Sequence, residues 1–444
     1  MNHKQSILHK IATSTEKVGI VGLGYVGLPL AVNFAEAGVE VIGFDKSETK
    51  VDKINHGENY IKDIRDAVLR EVVDQVKLKA TTDFTRMAEC DALIICVPTP
   101  LDKFRKPDMS YIEASCIDIG RNMKPGTFIS LESTTYPTTT EDFMLPIIER
   151  ESGLKHGDDF WLAYSPERVD PGNATFHTRN TPKVIGAMTP DGLEIGMALY
   201  GKAIDSLHPV SSPRVAEMVK ILENTYRLVN ISLINELALL SGKMHINIWE
   251  VIDAAKTKPF GFQAFYPGPG IGGHCIPLDP FYLEHIAKKF NFELSMIHAA
   301  GHINMRMPHY MYIKIATALN RHKKAVNGSK VLFLGVAYKP DIDDERESPA
   351  LEIMDIVAHK GGEVSYHDPH IPRVQTHGYD SHGHQAGLLL SSVELTEETL
   401  KEADCVVLTT NHKAFDVEFI QAHSKMIVDL RNMIKEAGEN VYKL

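Results

Sequence analysis

The sequence is poor in the residues that mark secreted, membrane or nucleic-acid-binding chains. Cysteine occurs five times, at Cys90, Cys96, Cys116, Cys275 and Cys405, with no CxxC spacing. That odd, sparse set excludes a disulfide framework and a zinc ribbon, and it points to a reducing compartment. No apolar run is long enough to cross a bilayer, and the polar segment before Lys17 lacks the apolar core of a signal peptide, so a cytoplasmic chain without membrane contact is expected. Basic residues are in deficit, 47 Lys and Arg against 58 Asp and Glu, for a formal charge of −11. Such a chain repels polyanions, and nucleic acid is not an expected partner. An anionic ligand must then be met locally, by backbone N–H groups and a few placed cations, which suits a small phosphorylated molecule. Low-complexity runs are absent too, and the first sixteen residues read as a frayed tail. What remains is ordinary globular composition, 43% hydrophobic and 24% charged over 444 residues. At roughly 150 residues per domain this suggests about three domains.

Short apolar runs alternate with helix-like stretches. Val18 to Val21, Glu40 to Phe44, Ala92 to Val97 and Phe128 to Leu131 read as buried strands, and the intervening helices imply a parallel sheet. The order returns late in the chain at Val331 to Gly335, Glu363 to Tyr366, Cys405 to Thr409 and Met426 to Asp429. In each set the third strand follows an acidic step, Glu89-Cys90-Asp91 or Glu402-Ala403-Asp404. Two α/β lobes are therefore expected. Between them Ser212 and Pro213 supply an N-cap and first helical residue, and neither Gly nor Pro recurs until Gly242. A helix of about 30 residues, roughly 45 Å long, follows. Its apolar positions Val215, Met218, Val219, Leu222, Tyr226, Val229, Leu233 and Leu237 keep a helical period. Connection of the lobes and pairing with a second copy is one reading, and a core helix of a monomer is the other.

Gly22-Leu23-Gly24-Tyr25-Val26-Gly27 is a GxGxxG stretch after a strand and before the helix opened by Pro29. The first glycine allows the tight turn, the second lets a pyrophosphate approach the backbone, and the third lets helix pack on strand. Asp45, 18 residues beyond Gly27, stands where a carboxylate accepts from a ribose 2′-hydroxyl and repels a 2′-phosphate. NAD is expected over NADP. Cys275 lies on the glycine-rich run Gly268 to Asp279, a setting for a nucleophile, although most buried cysteines are inert filler. His274 beside it reads as structural. Lys220 and Asn224 share a helix face and could suit one ligand atom, but by themselves they read as a solvated surface pair. The charged loop Tyr338 to Ser348 follows the first strand of the second lobe, where doubly wound sheets bind ligands, and it too can be simply solvated. Tyr164-Ser165-Pro166-Glu167-Arg168 closes an apolar strand with a carboxylate facing a cleft. No residue set is read as a metal site.

These motifs together resemble the UDP-glucose/GDP-mannose dehydrogenase family, most closely its UDP-N-acetylhexosamine branch. The resemblance runs from Lys17 to about Arg431 and rests on GLGYVGLP from Gly22, VPTP from Val97, EST from Glu132, SPER from Ser165, Lys220 with Asn224, GGHCIPLDP from Gly272 and the loop Tyr338 to Ser348. It implies two Rossmann-like doubly wound lobes joined by a long central helix and an all-helical dimerisation region. Residues 1–211 would form the NAD-binding domain, 212–326 the central helical domain with the cysteine loop and a homodimer interface, and 327–444 the UDP-sugar-binding domain, with the active site between the lobes. Position by position, the resemblance makes Cys275 the nucleophile. Lys220 and Asp279 would handle protons and oxyanions, Asn224 would donate to an oxyanion, and Thr134 and Glu167 would position water and substrate. Gly22, Gly24, Tyr25, Val26, Gly27, Asp45, Lys50, Thr99, Thr134 and Arg346 would contact the cofactor. Glu167, Arg168, Lys220, Asn224, Tyr266, Gly268, Lys339 and Arg431 would contact the substrate.

The implied chemistry is a four-electron oxidation. A C6 alcohol is oxidised to an aldehyde held as a thiohemiacetal on Cys275, a second oxidation gives a thioester, and water releases the uronate with two NAD reduced. UDP-glucose enzymes usually carry an apolar pair and a second glutamate after SPE, whereas this chain has Arg168-Val169-Asp170-Pro171-Gly172. Arg168 and Pro171 favour the N-acetyl branch, and Lys256 to Phe262 favours UDP-N-acetylglucosamine, made into a uronic acid for surface polysaccharide, over UDP-GalNAc, UDP-ManNAc or UDP-glucose. The competing expectations are a two-electron hydroxyacid or sugar dehydrogenase and an NAD-responsive binding module in which Cys275 is only structural.

Overall fold

The computed structural model describes residues 2–61, 64–100, 107–170, 172–173, 175–273, 276–376, 378 and 387–444. The chain divides into two compact units, Met1–Glu223 with Phe281–Glu293, and Asn224–Pro280 with Leu294–Leu444.

The first unit is built on eight strands: β1 Lys17–Val21, β2 Glu40–Phe44, β3 Leu78–Thr81, β4 Ala92–Ile95, β5 Thr127–Leu131, β6 Phe160–Tyr164, β7 Lys183–Ala187 and β8 Leu207–Val210. They lie in the order β3-β2-β1-β4-β5-β6-β7-β8, parallel except between β6 and β7. Alternate residues leave the sheet on opposite sides, so Val18, Ile20, Ala92 and Ile94 enter one apolar cluster while Val21, Leu93, Ile95 and Leu131 enter another. A sheet covered on both faces needs unbroken apolar strands, which is why these runs carry no polar alternation. The strand order reverses between β1 and β4, which opens a crevice at their carboxyl ends. The strand after the Glu89-Cys90-Asp91 step is fourth, not third, in the chain. The edge strand β3 precedes it, alternates in burial and has no apolar run to announce it.

The second unit carries β9 Lys330–Leu334, β10 Glu363–His367, β11 Arg373–Gln375, β12 Leu389–Ser391, β13 Cys405–Leu408, β14 Ile427–Asp429 and β15 Val441–Lys443. Five form a parallel sheet, β10-β9-β13-β14-β15, and β11 with β12 forms a short ladder. Val331, Phe333 and Val407 face one cluster, and Leu332, Leu334 and Val406 the other. Both sheets are thus doubly wound. The chain also contains the helices Pro213–Lys243 and Ser295–Arg321, of 31 and 27 residues.

The N-terminal segment corrects one expectation. Residues His3–Thr13 form a helix rather than a frayed tail, because Asn2 and Gln5 make a reciprocal capping box and Ile7 and Ile11 are buried in the first cluster. Lys10 Nζ, 2.7 Å from Asp91 Oδ1, ties it to the residue before β4.

Candidate active site

The glycines after β1 each meet a different constraint. Gly22 has φ +93°, and a Cβ there would lie 2.7 Å from the Cys96 carbonyl oxygen. A Cβ on Gly27 would fall 1.8 Å from the Gly22 oxygen, so the helix Gly27–Glu36 starts this close to the strand only with glycine. Gly24 has open space around its missing Cβ, as an approaching phosphate requires. Tyr25 beside it is exposed and Val26 is half-buried. Asp45 follows β2. Its Oδ2 accepts from Leu23 N–H at 3.0 Å and from Lys50 Nζ at 3.3 Å, and its Oδ1 accepts from Ser47 N–H at 2.9 Å. The carboxylate is half-buried and fixes the loop that carries the glycines. Tyr60 O–H donates to the Leu23 oxygen at 2.6 Å from the other side.

The VPTP and EST segments follow the neighbouring strands β4 and β5 and are joined by their hydroxyls. Ser133 Oγ donates to the Val97 oxygen and Thr99 Oγ1 to the Thr134 oxygen, both at 2.7 Å. Tyr282 O–H donates to the Thr99 oxygen. Thr99 is buried and Thr134 half-buried. The segment beyond Thr134 is held by Glu217, which accepts from Thr138 N–H at 2.6 Å, Thr140 N–H at 2.9 Å and Thr140 Oγ1 at 2.7 Å. Burial pushes the Glu217 carboxyl up to about 7, against the opposing pull of the donors from Thr140 and Thr138.

Glu167 follows β6. Its Oε1 accepts from the Arg168 and Val169 N–H groups at 2.8 Å, and its carbonyl oxygen accepts from Lys220 Nζ at 2.7 Å. Arg168 is clamped by Glu223, with Nη2 2.5 Å from Oε1, and donates to the Pro182 oxygen at 2.7 Å. Lys220 and Asn224 stand one turn apart on the buried face of the long helix, where a solvated pair would be exposed. The surface reading of that pair is therefore excluded. In the second unit Asn224 Nδ2 donates to Asp279 Oδ2 at 2.6 Å, and Asp279 is buried at the start of the helix Asp279–Ala287.

Cys275 and His274 lie outside the described residues, as does Pro171. Gly273 has φ +86° and donates its N–H to the Arg346 oxygen at 2.9 Å, and a Cβ there would meet the Tyr338 ring at 2.7 Å. The glycine run is thus pressed against the loop after β9, and side chains would hold the two apart. On that loop Arg346 pairs with Asp344, Nη2 to Oδ2 at 2.6 Å, and Lys339 is half-buried.

Tyr266, Gly268 and Arg431 gather in the second unit. A cavity of about 370 Å³ is lined by Trp249, Tyr266, Asn411, Arg431, Lys256 and Lys435, among others. Tyr266 stacks on Trp249 with 6.1 Å between centroids. Arg431 donates from Nε to the Thr409 oxygen at 2.9 Å, and burial lowers its guanidinium to about 10. A Cβ on Gly268 would lie 2.5 Å from Arg431 Nη1, so the glycine makes room for the cation, and Asn235 Oδ1 fixes its N–H at 3.0 Å. Three cations and stacked rings around one cavity suit an anionic, aromatic ligand.

Sequence reasoning missed one buried cluster. Lys183 Nζ lies 2.5 Å from Glu132 Oε2, and Tyr200 O–H donates to Glu132 Oε1 at 2.6 Å. A lysine opening the apolar run Lys183–Ala187, fully buried throughout, was the available signal. Four cysteines, Cys90, Cys96, Cys116 and Cys405, are buried with free thiols, and burial pushes each thiol well up. As nucleophiles they are inert. Among the described residues Asp341, His370 and His412 bring potential metal-ligand atoms within 4.8 Å of one another. However, His412 Nδ1 accepts from Asp341 N–H at 3.0 Å and Nε2 lies 3.1 Å from Asp368 Oδ2, so both ring nitrogens are already engaged. No helix of the described residues is long and apolar enough to cross a membrane.

Three family models match the chain in succession: the UDP-glucose/GDP-mannose dehydrogenase NAD-binding domain over residues 16–204, the central domain over 214–306 and the UDP-binding domain over 332–436. The chain is 35% identical to a UDP-N-acetyl-D-glucosamine 6-dehydrogenase of Pseudomonas aeruginosa, over 84% of this chain and 90% of that one. It is also 35% identical to an NDP-N-acetyl-D-galactosaminuronic acid dehydrogenase of Ralstonia nicotianae, over 94% and 96% of the two chains. A solved UDP-D-ManNAc dehydrogenase from Pyrococcus horikoshii superposes with a TM-score of 0.86 at 33% identity, covering 96% of this chain and 98% of that one. The chain therefore belongs to the UDP-glucose/GDP-mannose dehydrogenase family and is an NAD-dependent UDP-sugar dehydrogenase.

Proposed function

We propose that the protein oxidises the C6 alcohol of UDP-N-acetylglucosamine to the uronic acid in two steps, in a reducing compartment, for surface polysaccharide. Residues 1–211 would hold NAD, 212–326 would supply the cysteine loop and dimer contacts, and 327–444 would hold the UDP moiety. The carrying observation is the buried pairing of Lys220 with the Glu167 carbonyl in the first unit, matched in the second by that of Asn224 with Asp279. Polar groups this buried and this well paired suit proton transfer and oxyanion stabilisation.

NAD, when bound, accepts one hydride in each oxidation. The Cys275 thiol adds to the aldehyde and holds it as a thiohemiacetal, so the half-oxidised sugar stays tethered. The second oxidation leaves a thioester, and water displaces the thiol to give the acid. Lys220 as an ammonium and Asn224 as an amide donor stabilise the alkoxide and tetrahedral oxygens. Glu167 and Asp279 orient or deprotonate water, and Thr134 helps to place it. Gly24 and Asp45 meet the dinucleotide, with Lys50, Thr99 and Arg346 as further contacts. Tyr266, Gly268, Lys339 and Arg431 meet the UDP end, with Arg168 beside Glu167. Binding energy at that distant end helps to orient C6.

The helix that bears Lys220 supports a homodimer. Its opposite face exposes Val215, Met218, Leu222, Tyr226, Leu233, Leu237 and Leu240. Val215, Tyr226 and Leu237 recur at eleven residues, as do Leu222 and Leu233, a spacing close to three helical turns that keeps these side chains on one stripe of the helix. An apolar stripe of this length left in water marks an interface.

The test is kcat/KM over UDP-GlcNAc, UDP-GalNAc, UDP-ManNAc and UDP-glucose. Preference for UDP-GlcNAc supports the assignment. Preference for the galacto or manno epimer moves it to the alternatives that the relatives suggest. In the same assay Cys275→Ser keeps NAD binding but loses uronate formation by at least about a thousandfold, and wild-type acid formation in that variant removes the thioester from the mechanism.

A further inference from the structure

Strand β7 runs antiparallel to β6, with Ala163 opposite Ala187 and Tyr164 opposite Gly186. Ser165 Oγ, donating to the Val184 oxygen at 2.8 Å, continues that pairing past the end of β6. Carried on, the same register sets Glu167 opposite Lys183. Lys183 is the first residue of a strand that is buried throughout, and its ammonium is the centre of a closed polar cluster. It lies 2.5 Å from Glu132 Oε2, 3.4 Å from the Pro166 oxygen and 3.9 Å from Glu167 Oε2. Glu132 is held in turn by Tyr200 O–H at 2.6 Å, and Tyr200 also reaches Ser130 Oγ at 3.0 Å. Burial works against the charge on Lys183, but the two glutamates outweigh it and hold the group in ammonium form.

A buried ion pair is a poor device for stability alone, because apolar residues of the same volume commonly do as well. Here the pair has a third member. Glu167 Oε1 is already fixed by two backbone N–H groups, and Oε2 is left facing Lys183. Lys220 holds the Glu167 backbone, Arg168 is turned away to Glu223, and Cys96 lies deep behind the cluster as a neutral thiol. The side-chain charge opposite Oε2 is therefore that of Lys183, and Glu132 sets where the ammonium sits.

We propose that Lys183, anchored by Glu132, is the positioning residue that orients the Glu167 carboxylate toward the water that hydrolyses the thioester. This rests on the reading above in which Glu167 handles that water. Lys183 touches neither sugar nor cofactor. Its effect is confined to the last step, and both oxidations proceed without it.

The experiment compares wild type, Lys183→Arg and the double variant Lys183→Met/Glu132→Gln, which removes both buried charges together and so leaves neither unpaired. Each is mixed with saturating NAD and UDP-N-acetylglucosamine, or whichever UDP-N-acetylhexosamine the wild type prefers, and followed by NADH formation and intact mass. The double variant is expected to bind NAD within threefold of wild type and to show a burst of two NADH per site. Steady turnover then falls about 10- to 100-fold, as for a misplaced catalytic group. The hexuronyl adduct accumulates on the protein, and Lys183→Arg recovers most of the turnover. A double variant that turns over within twofold of wild type, or slows without adduct, overturns the proposal. So does loss of NAD binding, since the pair would then be holding the nucleotide lobe. Wild type that yields one NADH per sugar overturns the four-electron reading instead, a result that no variant is needed to see.

Discussion

The two sheets begin with the same device and end it differently. Each places a glycine at positive φ after its first strand, Gly22 at +93° and Gly335 at +89°. Each bonds that N–H to the end of its second strand, Gly22 to the Phe44 oxygen at 2.7 Å and Gly335 to the His367 oxygen at 2.9 Å. Each then uses the next residue, an aspartate, to pin the turn: Asp45 accepts from Leu23 N–H, and Asp368 from Val336 and Ala337 N–H. In the first sheet the helix starts at once and Asp45 stays half-buried beside Lys50. In the second the loop runs on to the helix Pro349–His359, and Asp368 is sealed in by His412 and by the N–H groups of His370 and Ile371. Burial works to raise the Asp368 carboxyl, but these donors outweigh it and hold it at about 2. Both turns thus fix a carboxylate, but Asp45 keeps a part-exposed lysine as its partner whereas Asp368 is enclosed by backbone N–H groups and a buried histidine.

The sharpest way to break this contrast is to delete both acids. Asp368→Ala leaves four backbone N–H groups and His412 without their acceptor, and should lower unfolding free energy by about 3–5 kcal/mol at pH 7 in urea titration. The carboxyl lies lower in the folded protein than its ordinary 3.8, so its contribution is complete above about pH 4 and is lost as pH falls toward 2. The gap between wild type and variant should narrow over that window by about 2 kcal/mol, the share that the charge carries. A gap that persists unchanged at pH 2 would mean that packing, not charge, anchors the loop. The smaller effect belongs to Asp45→Ala. Its stability change should stay within about 1 kcal/mol, while NAD affinity falls about tenfold and discrimination against NADP is lost, read by titration of both dinucleotides. Equal stability losses for the two variants would erase the distinction.

Much of this architecture could be read in the sequence because both sheets are covered on both faces, which forces unbroken apolar strands such as Ala92 to Ile95 and Cys405 to Leu408. The long helix was legible from Ser212-Pro213 and the lack of any breaker before Gly242. Elements governed by tertiary contact were not. The edge strand β3 has no apolar run, the N-terminal helix depends on burying Ile7 and Ile11, and the helix Ser295–Arg321 runs through Gly301 and Pro308. The site divides in the same way. Glycines whose missing Cβ is the point, Gly22, Gly27 and Gly273, announce themselves by spacing. Lys183 does not, since only the antiparallel turn of β7 against β6 shows that it faces Glu167.

NADH yield per mole of limiting UDP-N-acetylhexosamine, measured to completion with excess NAD, bears most directly on a sugar held by one protein until it is fully oxidised. Two NADH per sugar, with uronate as the sole product, is the expected result. One NADH with free aldehyde would contradict it.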